Sequence, residues 1–197
     1  MALEQSLGSA STLPRIRIEP APSTAGIHAL GLTTGLVGLF SAGFFPADSR
    51  LLQLGLGCGA LWLILVGLLE WRRCSLLGAC AFTSYGMFWL SQEAMVLLPA
   101  SGLGRPPQAS SLAAYLAIWA MFSMFMFLGS LRNHRNLAAL FGILAVMIVL
   151  VAIGKATGNP ILEKLAGLIG LAGGVLASFT ALDRQVSPAA KPPLQEP

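Results

Sequence analysis

Leu137-Ala-Ala-Leu-Phe-Gly-Ile-Leu-Ala-Val-Met-Ile-Val-Leu-Val-Ala-Ile153 runs for seventeen residues without a charge or a proline. At ~1.5 Å per helical residue it reaches about 25 Å, close to the ~30 Å hydrocarbon core of a bilayer. No polar face interrupts it, so it does not read as a surface helix of a soluble domain. Moving outward, the same pattern recurs. Apolar cores at Leu112–Leu131 and Ile161–Leu182 flank it, and Ile27–Phe45, Leu51–Leu69 and Leu76–Leu98 come before them. Six such windows predict an all-α membrane protein with six transmembrane helices per protomer.

Composition agrees. Hydrophobic residues make up 55% of the chain and charged residues 10%, and the mean hydropathy is +0.75. A soluble domain carries about 25% charge. Six spans and their loops use residues 27–182 and leave no room for a soluble catalytic domain. The expected organisation is a disordered segment at 1–18, a six-helix transmembrane domain at 19–184 and a disordered tail at 185–197. The tail is too poor in apolar residues to pack. The longest loop, Pro99–Ser111, is rich in Gly and Pro and reads as a turn-rich connector.

The twelve Lys/Arg fall almost entirely between or beyond the spans. With six spans, Arg15, Arg17, Arg72, Arg73, Arg132, Arg135, Arg184 and Lys191 share one face, and Arg50, Arg105, Lys155 and Lys164 share the other. That division is eight against four, and the positive-inside rule then puts both termini in the cytoplasm. Scattered in loops, these basic residues do not make a nucleic-acid patch. Residues 1–26 lack the basic start and apolar core of a cleaved signal peptide, so the first span is expected to direct insertion.

The chain is poor in catalytic chemistry. It has no HxxxH, CxxC, GxSxG or P-loop motif, and no metal or cofactor signature. The three cysteines lack metal-ligand spacing, and no disulfide framework is expected. An enzyme is therefore not expected. Two acids invite comparison. Glu70 ends the second span before Trp71-Arg72-Arg73 and is expected to face cytoplasmic water or to pair with those arginines. Glu93 lies six residues before Pro99, about 9 Å inside that end of the third span at ~1.5 Å per residue. An ionisable group at that depth is a protonation or vestibule site by default. The competing reading is a residue that merely lines a wet vestibule.

Glycines inside the spans have a bland reading, close helix packing, and a sharper one, a smooth pore wall. Gly170, Gly174 and Ala177 share one face of the sixth span, and packing is favoured for most of them. The third span has the most unusual composition, Phe82-Thr83-Ser84-Tyr85-Gly86-Met87-Phe88-Trp89. Phe82, Thr83, Ser84 and Tyr85 place hydroxyls and aromatic rings near mid-membrane. Such a lining suits a small polar solute or a carboxylic acid. The competing reading for Thr83 and Ser84 is hydrogen bonding between helices.

Ala81-Phe82-Thr83-Ser84-Tyr85-Gly86-Met87-Phe88-Trp89-Leu90 closely resembles the third-helix signature of the acetate uptake transporter family. Glu19-Pro20-Ala21-Pro22 resembles that family's N-terminal Asn-Pro-Ala-Pro motif. Gly31-Leu32-Thr33-Thr34, Gly67-Leu68-Leu69-Glu70, Phe125-Met126-Phe127-Leu128-Gly129-Ser130-Leu131 and Gly158-Asn159 follow in family order. The resemblance covers residues 19–182. It implies a six-helix protomer assembled as a ring-shaped hexamer. Each protomer would hold its own narrow pathway for acetate and related short carboxylates, moved with protons or as the acid. It also implies a constriction at Leu30, Tyr85 and Leu144, with Ala177 facing the pore. The chain departs from the family at Glu19, which stands for Asn, at Leu30, which stands for the usual Phe, and at Glu93, which replaces an apolar residue. The expected partners are acetate, protons, the lipid bilayer and copies of the same chain, with no cofactor. The alternatives are a channel for a neutral solute such as urea, an amide or ammonia, and a non-transporting membrane sensor or assembly protein.

Overall fold

The computed structural model describes residues 22–45, 50–132 and 135–186. Glu19, Pro20 and Ala21 of the N-terminal motif lie outside the described residues, as do 1–18 and 187–197. Six helices follow one another: α1 Thr24–Ser41, α2 Arg50–Arg72, α3 Leu76–Ala100, α4 Ala109–Ser130, α5 Arg135–Thr157 and α6 Pro160–Val186. Each holds one of the six apolar cores, and no strand occurs among the described residues.

The ends of the helices follow local chemistry. Ser23 caps α1, its hydroxyl accepting the Gly26 N–H at 3.3 Å. The α1 helix stops at Ser41, four residues short of the expected Phe45, because Gly43 takes a φ of +84°. The Phe44 N–H then reaches back to the Leu39 carbonyl at 3.2 Å, a Schellman-type closure. The α3 helix runs on through Pro99 and closes where Gly102 takes a φ of +78°. The connector is therefore Ser101–Gln108, shorter than expected. The α6 helix continues to Val186, just past the expected domain edge at 184.

Five of the helices, all but α3, are long and apolar enough to cross a membrane. The α3 helix carries Thr83, Ser84, Tyr85, Ser91, Gln92 and Glu93, which lower its hydropathy. The bundle shields several of these polar groups: Tyr85 and Glu93 are buried and Ser91 is half-buried. Around the bundle, α3 packs on α2, α2 on α1, α1 on α6, α6 on α5 and α5 on α4. Side chains close the remaining gap between α3 and α4. The rings of Phe88 and Trp119 lie 4.9 Å apart, and those of Tyr85 and Phe122 5.6 Å.

The closest backbone approach is between α1 and α6, and glycine makes it possible. A Cβ at Gly31 would meet the Ala177 methyl at 2.5 Å, and one at Gly38 would meet the Leu171 backbone nitrogen at 2.4 Å. A Cβ at Gly174 would meet the Gly31 carbonyl oxygen at 2.7 Å. The small face of α6 is thus a packing face, as small residues at a membrane helix interface allow. We expect Gly38→Ala to destabilise the bundle by about 1–3 kcal/mol, the usual cost of overpacking. Gly57, which has nothing within 4 Å of an added Cβ, should accept Ala without loss. Thermal unfolding midpoints of the two variants in detergent check the contrast.

Candidate functional site

Short connections make successive helices antiparallel, so α1, α3 and α5 run the same way. Each contributes one of the expected constriction residues. Leu30, Tyr85 and Leu144 are all 0% exposed and belong to one buried core cluster. Phe82 and Ala177 belong to the same cluster.

The Tyr85 ring stacks on Phe141 of α5 at 5.8 Å and meets Phe122 of α4 edge-on at 5.6 Å. Its hydroxyl donates to Ser123 Oγ at 2.9 Å, and that serine donates onward to the Trp119 carbonyl at 2.9 Å. The Tyr85 proton is therefore engaged with α4, and the oxygen keeps acceptor capacity toward the interior. Ser123 was not singled out in the sequence. Its one local signal is that it is the only hydroxyl between Leu116 and Leu128 of α4.

A cavity of about 690 Å³ lies against this buried cluster, whose Phe88, Trp89, Leu116, Met147 and Ile148 line it. Its lining follows the cluster residues on all three parallel helices: Val37 on α1, Phe88 and Trp89 on α3, Met147 and Ile148 on α5. On α3 and α5 the lining starts three residues past Tyr85 and Leu144, about 4.5 Å of helical rise. Leu30, Tyr85 and Leu144 are themselves not among the cavity's lining residues. The walls carry Gln53, Gln92, Glu93, Lys155 and Glu163. Lys155 Nζ pairs with Glu163 Oε2 at 2.6 Å. Glu93 is 6% exposed, and its Oε1 is buried without a hydrogen-bond partner among the described residues.

Toward the start of α1, Phe82 covers Gly26 so closely that an added Cβ would lie 2.1 Å from its ring. Thr83 turns instead to α2, where its Oγ1 lies 2.2 Å from the Cβ position of Gly67. Its surroundings are those of a packing residue, and Ser84 is half-buried. The Ala177 methyl sits against Gly31, where α1 and α6 meet. Pro22 of the N-terminal motif is buried. A second cavity of about 550 Å³ opens between α1, α2 and α6, lined by His28, Trp62 and Phe179 among others.

Glu70 makes the arginine pairing that was one of its two expected roles, but in a buried place. It pairs with Arg73, Nη1 to Oε1 at 2.9 Å, yet it is 1% exposed rather than solvated. The same oxygen accepts the Ser23 N–H at 3.3 Å. Glu70 therefore ties the end of α2 to the start of α1, directly after the N-terminal motif.

A bundle of long apolar helices with a buried cluster against a cavity of about 690 Å³, roomy enough for a small solute, suits a membrane channel or permease. The chain belongs to the GPR1/FUN34/yaaH family, whose model matches residues 8–191. It is 40% identical over 161 residues to the succinate-acetate/proton symporter SatP of Escherichia coli (strain K12), covering 82% of this chain and 86% of that protein. It is 27% identical over 179 residues to acetate permease A of Emericella nidulans, covering 82% of this chain and 60% of the relative. Among solved structures, that of the bacterial acetate channel SatP matches with a TM-score of 0.78 and 38% identity. The match covers 85% of this chain and 92% of that one.

Two substitutions probe these contacts. Tyr85→Phe should cost about 0.5–1.5 kcal/mol, because Ser123 keeps its bond to Trp119 and only one neutral hydrogen bond is lost. Glu70→Ala should cost more, about 1–3 kcal/mol, because it leaves the part-buried Ser23 N–H without its acceptor. Thermal unfolding in detergent orders the two.

Proposed function

We propose that this chain is a membrane permease or channel for acetate and related short carboxylates. It carries them as the protonated acid or together with a proton. The observation that supports this reading is that Leu30, Tyr85 and Leu144 are all buried in one core cluster, part of which lines the larger cavity. The names of the SatP and acetate permease relatives support the substrate class.

An apolar waist excludes hydrated ions by dewetting. A carboxylic acid passes it as the neutral species, after taking up a proton in the cavity. Leu30 and Leu144 set the bore, and Tyr85 offers the polar contact. Glu93 faces the solute before it reaches the waist.

All six helices are read as spans. The 25 residues of α3 reach about 37 Å at ~1.5 Å per residue, enough for the ~30 Å core. Both termini are read as cytoplasmic from the eight-to-four division of basic residues, so the larger cavity opens to the outside. The assembly is read as a ring-shaped hexamer with one pathway per protomer, as the resemblance implies.

Uptake of labelled acetate into proteoliposomes tests the reading. Leu144→Trp should close the path, and Leu144→Ala should admit larger monocarboxylates. Unchanged acetate flux in the tryptophan variant, with normal assembly, rules out this pathway. Short carboxylic acids ionise near pH ~4. Above that value the neutral fraction grows about tenfold for each unit that the outside pH falls, so initial uptake at low acetate should rise with it. Flux that is flat between pH 7 and 5 would exclude passage of the neutral acid.

A further inference from the structure

Tyr85, Trp89 and Glu93 are spaced four apart on α3, so they form one stripe on a single helix face. The stripe runs from the waist up the cavity wall, and both Trp89 and Glu93 line the cavity. Trp89 is 2% exposed and Glu93 6%. The Trp89 indole N–H and the Glu93 Oε1 are both buried without a hydrogen-bond partner among the described residues. Buried polar groups are nearly always paired. Two orphans a single helical turn apart, on the wall of one cavity, mark a partner that the chain does not supply.

One orphan is a donor and the other an acceptor. An undissociated carboxyl group carries the complement: a carbonyl oxygen that accepts and an O–H that donates. A carboxylate anion offers acceptors alone, so it satisfies Trp89 and is repelled by Glu93. The other charged side chains of the cavity are Lys155 on α5 and Glu163 on α6, which pair with each other. The formal charges of Lys155, Glu163 and Glu93 sum to +1 − 1 − 1 = −1, which also disfavours the anion. A cation would satisfy Glu93 but leave the Trp89 donor unmatched.

We propose that Trp89 and Glu93 together form a recognition site for the undissociated carboxyl group. The acid's carbonyl oxygen accepts from Trp89 Nε1, and its O–H donates to Glu93 Oε1. The site deepens the acetate reading above and rests on it for the choice of acid. It selects the neutral form about one turn before the waist, where only that form can proceed. Glu93, a departure from the family's apolar residue, gives this chain the acceptor half of the site.

Acetamide is the probe, because it carries the same donor and acceptor side by side and stays uncharged. Its binding to the purified full-length protein is read from the shift in thermal unfolding, alongside acetate uptake in proteoliposomes. Wild type should be stabilised by acetamide, and acetamide should inhibit its acetate uptake. Trp89→Phe and Glu93→Leu should each raise the half-saturating acetamide concentration by roughly tenfold or more, the scale of one lost hydrogen bond to a buried group. Glu93→Gln keeps an acceptor oxygen and should retain binding. Equal binding in wild type and both apolar variants overturns the proposal, as does absence of binding to wild type. So does ammonium chloride stabilising the protein through Glu93 where acetamide does not. If one apolar variant fails to fold, the other decides. Acetamide binding that depends on these residues, in a protein that carries no acetate, would leave the site standing and remove the transport reading.

Discussion

Inside a bilayer there is no water to satisfy a polar group, so each one must find a partner within the protein or face a cavity. That constraint orders this bundle. Thr33 and Thr34 return their hydroxyls to backbone carbonyls of their own helix, with Thr34 reaching the Leu30 carbonyl at 2.7 Å. Tyr85 reaches across to Ser123, and Glu70 gathers the Ser23 N–H and Arg73. On α3, Tyr85 and Glu93 are buried, and Thr83, Ser84, Ser91 and Gln92 are half-buried.

Enclosure also requires the helices to come close, and here the two sides of the bundle differ. The α1 and α6 helices meet backbone to backbone along glycines, and α2 approaches α3 in the same way at Gly86, where an added Cβ would lie 2.7 Å from the Ala60 carbonyl. The α3 and α4 helices instead meet through large rings, with Phe88, Trp119, Tyr115 and Phe122 filling the gap. Glycine contacts fix backbone positions, because a packed backbone cannot shift without clashing. The fixed α1 and α6 pair holds Leu30 in place from one side, while the aromatic side holds the Tyr85 ring.

The spans were legible because hydrophobic length is a local property of the sequence. The boundaries that moved, at Phe45 and in the Pro99–Ser111 connector, depend on which glycine adopts positive φ, and composition alone does not choose it. Leu30, Tyr85 and Leu144 were singled out as a constriction only through the family resemblance. No periodicity in the chain distinguishes them from other apolar residues, yet all three proved fully buried in one cluster. Ser123 and the burial of Glu70 were not legible. The partner of Ser123 is 38 residues away and that of Glu70 is 47, and Glu70-Trp71-Arg72-Arg73 reads locally as the solvated end of a span. Thr83, prominent in the sequence signature, turned toward Gly67, since a small residue opposite leaves room for a side chain to settle between helices.

The placement of charge along the pathway gives the geometry its consequence. All the ionisable groups of the larger cavity lie on its walls, and the cluster beneath it is apolar apart from one phenol whose proton is already held. Electrostatic interactions strengthen as water is excluded, so an anion moving from the walls to the waist would lose hydration with no counter-charge to replace it. A neutral acid loses far less. The waist therefore need not recognise a carboxylate at all; it suffices that the cavity delivers a small solute with its charge already removed. On the proposed pathway, this division of labour puts size selection at Leu30 and Leu144 and charge selection on α3 above them.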